Sequence, residues 1–113
     1  MLLREEIGRL TGRELHTADN VPFRIDMIEG NEILLTRASG TDGKFHLNHL
    51  VLCYHEIAVD HRQIRGVGSE QHNSVRVLVH GCGLCERHPA YMWALLASLP
   101  RVQVLPGNTL VHQ

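Results

Sequence analysis

Phe23, Ile25 and Met27 alternate with Arg24 and Asp26, and Ile33 and Leu35 resume the alternation beyond Gly30 and Asn31. A period of two is the mark of strands with one buried face. Gly30 and Asn31 tolerate the positive φ of a tight hairpin, so "FRIDMIEGNEILLTR" predicts two strands joined by a short turn. Glycines and an aspartate in "ASGTDGK" mark a second turn, which leads into a further strand, "KFHL". A strand over residues 13–17 and a turn over 18–22, where Asp19, Asn20 and Pro22 cluster, complete the N-terminal half. It reads as an antiparallel β-meander with one apolar face.

The period lengthens on either side of this meander. Leu3, Ile7 and Leu10 fall four and three residues apart ahead of Gly12, the spacing of a short amphipathic helix with a C-terminal stop. After Asn48, a residue suited to capping a helix, Leu50, Cys53, Tyr54 and Ile57 fall at i, i+3, i+4 and i+7. That puts Cys53 on a buried stripe, although the same residues also alternate tolerably as a strand.

Residues 58–74 are polar and glycine-bearing, which predicts a long loop. "VRVLVH" restores alternation as a strand. Pro89 then suits the first turn of a helix whose buried face is Met92, Leu95, Leu96 and Leu99 and which Pro100 ends; "VQVL" follows as a last short strand. The expected architecture is one α+β domain over residues 1–113, a meander followed by helix, strand, helix and short strand. If "VRVLVH" and "VQVL" share a sheet, their connection is a right-handed crossover.

An apolar fraction of 43% with 20% charged residues is ordinary globular composition, long enough here to bury a core without staples. The formal charge is −1, with both signs interspersed, so no concentrated basic face is available to neutralise a nucleic-acid backbone. A local patch from Arg62, Arg65 and Arg76 is the one route left to that function. Nine histidines carry the net charge from slightly negative to positive near pH 6. The start "MLLREEIGRL" lacks the apolar core of a signal peptide, and no stretch has the length of a membrane span. Three cysteines, an odd number, point to reduced thiols and a cytoplasmic location.

Chemically capable side chains crowd together in "HGCGLCERHPAYMW", residues 80–93. Cys82, Cys85 and His88 form C-x2-C-x2-H, a spacing that brings two thiolates and an imidazole to one zinc ion, with His80, Cys53 or His55 as the candidate fourth ligand. The order strand, "CGLC", helix also resembles the active-site region of the thioredoxin family. That resemblance implies Cys82 as the nucleophilic thiolate and Cys85 as the resolving thiol. It covers about thirty residues, and Gly81 stands where that family carries tryptophan. The plainer reading, which carries most weight, is that the thiols fill space as small buried hydrophobes.

Tyr91 and Trp93 flank the buried stripe of the last helix, where Trp93 either covers a sheet edge or joins Arg62 and Arg65 on a partner surface. No phosphate loop, dinucleotide fingerprint or hydrolase elbow is present. The expected function is therefore a non-catalytic accessory module acting through protein contacts or self-association, with a zinc clip as its candidate cofactor site. A minimal thiol-disulfide oxidoreductase and a nucleic-acid-binding domain are the alternatives.

Overall fold

The computed structural model describes residues 3–58 and 89–113, and among the described residues it has three helices and six strands. In chain order they are α1 (Leu3–Arg9), β1 (Glu14–His16), β2 (Pro22–Glu29), β3 (Glu32–Arg37), β4 (Asp42–His46), α2 (Leu47–Ala58), α3 (Pro89–Ala97), β5 (Val102–Leu105) and β6 (Thr109–His112). Strands β1 to β4 pair in sequence order as a four-stranded antiparallel sheet, and β5 and β6 form a separate antiparallel pair. The class is α+β, with the meander first, as the hydrophobic pattern predicts. The loop over 58–74 and the strand over 75–80 fall outside the described residues, apart from Ala58, which ends α2.

Period-two alternation aims Phe23, Ile25, Ile33, Leu35 and Phe45 at one face of the sheet, where all five are buried. Leu50, Cys53 and Ile57 of α2, Met92, Leu95 and Leu96 of α3, and Ile7 of α1 join them in a single core. Each fully buried leucine or isoleucine contributes roughly 1.5–3 kcal/mol relative to exposure. The stripe at 50, 53 and 57 is helical, because three side chains at that spacing reach the core only from a helix. Tyr91 ties α3 to the sheet by meeting Phe23 edge-on, with ring centroids 4.8 Å apart.

Where α2 begins differs from the sequence pattern. Leu47 opens the helix instead of ending a strand, and Asn48 is not its cap. The cap is Asn31 of the β2–β3 turn: its carbonyl accepts the Leu47 N–H at 2.8 Å and its side-chain oxygen accepts the Asn48 N–H at 3.0 Å. The orphan donors of the helix start are thus satisfied from a turn 17 residues away. Gly30 takes φ 61° in that turn while Asn31 does not, the pattern of a two-residue loop with glycine first.

A second difference lies in β2. The register runs Ile25↔Leu35 and then Met27↔Leu34, so Asp26 is an extra residue in a β-bulge. A one-residue insertion inverts the faces beyond it. Met27, expected to continue the buried series of Phe23 and Ile25, is instead 47% exposed, and Ile28 packs against the core in its place.

At the C-terminus β5 turns back through Pro106, Gly107 and Asn108 to pair with β6, a strand that alternation over so short a stretch does not announce. Gly107 and Asn108 take φ 82° and 58°, which lets the chain reverse in three residues. Among the described residues no helix is long and apolar enough to cross a membrane.

Candidate functional site

Of the chemically capable residues singled out above, Cys82, Cys85, His88, His80, Arg62, Arg65 and Arg76 lie outside the described residues. Cys53 and His55 lie on α2 and point apart. Residues two positions apart on a helix are about 200° apart around its axis. Cys53 is buried, its Sγ 3.8 Å from the Met92 sulfur, whereas His55 is exposed. A single metal ion cannot take both. Among the described residues no group of three or more His, Cys, Asp or Glu side chains is arranged to hold a metal.

Trp93, weighed as a surface anchor, is only 5% exposed, and its indole N–H donates to the Asn108 carbonyl at 2.9 Å. The β5–β6 turn meets the edge of the ring through this hydrogen bond, and Trp93 acts in the core. Tyr91 is half-buried against Phe23. Trp93 is thus a core residue while Tyr91 keeps part of its surface accessible, and Arg62 and Arg65, expected beside them, lie outside the described residues.

A different surface is built by the bulge. On the outer face of the sheet Met27 of β2 and Leu34 of β3 stand opposite each other, and Leu34 faces Lys44 of β4 in turn. Together with Asp26 and Asp42 these side chains line a hollow of about 320 Å³. That is at the small end of ligand-sized clefts. Val51 and Leu52 on α2 are exposed apolar side chains as well.

Charge is distributed unevenly around the hollow. Asp26 is engaged on both oxygens, accepting from the Thr36 hydroxyl at 2.6 Å and from Arg24 Nε at 3.0 Å. The Thr36 hydrogen bond, opposed by partial burial and aided by Arg24, holds the Asp26 carboxyl below its ordinary range. Lys44 leans toward Glu32, with Nζ 3.0 Å from a carboxylate oxygen. Among the described residues no cation or donor reaches the Asp42 carboxylate, whose cross-strand neighbour is the uncharged Thr36. Arg37, two residues beyond Leu35, sits on the opposite face: a side chain at Gly43 would meet its Nε at 3.1 Å, which is why glycine occupies that inner position.

A trace of this surface is legible in the sequence. "MI" at 27–28 and "ILL" at 33–35 are runs in which neighbouring residues, and hence both faces of a strand, are apolar. A strictly half-buried meander has no use for Leu34. No protein-family model, no curated protein and no solved structure matches this chain.

Proposed function

We propose that this chain is a non-catalytic binding module of the cytoplasm that acts through protein contacts, with the outer face of the four-stranded meander as its contact surface. One observation carries the reading: the bulge at Asp26 turns Met27 outward beside Leu34, making a concave apolar floor on the face that an antiparallel sheet ordinarily gives to water. The odd number of cysteines supports the cytoplasmic part of this reading. An ionised carboxylate fastened on both oxygens, as Asp26 is, is a weak base, and so it suits fixed recognition better than proton transfer.

Affinity purification of the tagged chain from its native cells, compared with Leu34→Glu, tests the reading. Leu34 is outward-facing, so the substitution leaves the core intact, which circular dichroism checks. Proteins recovered with the native chain and lost with Leu34→Glu support a contact on this face. Equal recovery from both, or none from either, overturns it.

A further inference from the structure

We propose that the hollow beside the Asp26 bulge receives a basic side chain, a lysine or arginine, of a partner polypeptide. The inference rests on the protein-contact reading and names the chemistry of its occupant. Met27 and Leu34 offer an apolar floor of the kind along which the methylene stem of a lysine or arginine lies while its charged head stays at the polar rim.

The rim supplies the complementary charge. Each of the other ionised groups around the hollow is already compensated: Asp26 by Arg24, Lys44 by Glu32. Asp42 alone lines the hollow with a carboxylate that no cation meets among the described residues. Lys44 also lines the hollow, but its Nζ is drawn to Glu32 on β3, whose register position lies on the far side of Leu34 from the Thr36–Asp42 pair. An acidic occupant would be repelled by Asp42 and a purely apolar one would gain nothing from it, whereas a cation gains both a hydrogen bond and charge neutralisation. The bulge adds an independent reason, since an inserted residue that re-aims side chains is a device found beside sites, and here it both brings Met27 to the floor and places the Asp26 carboxylate at its side.

The probe is a set of capped five-residue peptides, alanine and glycine around one central lysine, arginine or norleucine, titrated into isotope-labelled full chain and followed by backbone amide shifts. Lysine and arginine peptides are expected to shift residues 26–27, 34 and 42–44 selectively and to bind at least tenfold more tightly than the norleucine peptide. Asp42→Ser should remove that tenfold preference. Serine is chosen because asparagine before Gly43 would deamidate back to the carboxylate. Asp42 is exposed and makes no side-chain contact that the fold needs, so the variant should keep the native amide pattern.

Absent or diffuse shifts, equal binding of the norleucine peptide, or a preference untouched by Asp42→Ser would each overturn the proposal. So would n-butylamine binding as tightly as the lysine peptide, which would assign the hollow to free organic amines. Peptide failure alongside Leu34-dependent partner recovery would remove only the basic occupant. Recovery indifferent to Leu34→Glu would remove the protein-contact reading itself.

Discussion

The side-chain oxygen of Asn31, in the β2–β3 turn, accepts the backbone N–H of Asn48 at 3.0 Å, so a hairpin turn caps a helix that starts 16 residues later in the chain, with the Asn31 amide donating back to Asn48 Oδ1 at 3.1 Å. Because the cap joins the meander to α2, its loss weakens both the helix start and the docking of the helix on the sheet. Asn31→Ala should cost about 1 kcal/mol and lower the melting temperature by a few degrees. Asn31→Asp retains an acceptor oxygen and places negative charge at the helix N-terminus, so it should recover most of the loss. Thermal melts of the two variants check this; equal losses would mean that the turn, and not the cap, is what matters.

Asp26 ties the bulge to β3 through Thr36, and its carboxyl titrates below the ordinary range because the hydroxyl donates to the charged form. A depressed folded-state pKa contributes stability above the unfolded value of about 3.9 and loses it as pH falls through the folded value. Asp26→Asn should therefore destabilise the protein at neutral pH, and the difference from the native chain should shrink once the pH drops below about 4. Urea unfolding midpoints across that range measure it. Thr36→Val, which removes the donor, should cost about 1 kcal/mol at neutral pH.

Trp93 is the sole tryptophan, so its emission reports directly on the packing of α3 against the β5–β6 turn. The folded protein should emit at short wavelength and shift to the red on unfolding, in step with the loss of secondary structure. Trp93→Phe keeps an aromatic ring but abandons the Asn108 carbonyl, a loss of about 1 kcal/mol for the hydrogen bond, with further loss from the smaller ring. Red-shifted emission from the native protein would contradict the burial described here.

Cys53 is 1% exposed and packs on Met92, so its thiol should resist alkylation until denaturant is added. Cys53→Ser buries a hydroxyl in its place and should cost about 1–3 kcal/mol. Metal content and thiol count on the same untagged sample extend the test to the C-x2-C-x2-H spacing. If Cys82, Cys85 and His88 hold zinc, the native chain carries about one ion and Cys82→Ser loses it along with some thermal stability. A metal-free chain whose melting temperature is unchanged by Cys82→Ser removes the clip.

Local pattern was enough for much of the fold. Alternation at Phe23, Ile25, Ile33 and Leu35 located the central hairpin, and the spacing of Leu50, Cys53 and Ile57 and of Met92, Leu95 and Leu96 located two helices, because each depends on one residue's relation to near neighbours in the chain. The candidate site was much less legible. That Met27 faces outward depends on Asp26 being skipped in the pairing with β3, and a strand read alone carries no record of its register.

The remaining differences share that cause. Asn31 caps α2 only because β3 and β4 return the chain to it, and the Trp93 indole N–H finds its acceptor only because the turn at Gly107 and Asn108 brings a carbonyl to it. Periodicity and turn residues decide which segments become strands and helices, since those preferences act over a few bonds. Register, capping across the fold and the exposure of a particular side chain are decided by partners distant in the chain, whose positions exist only once the sheet and its covering helices have packed.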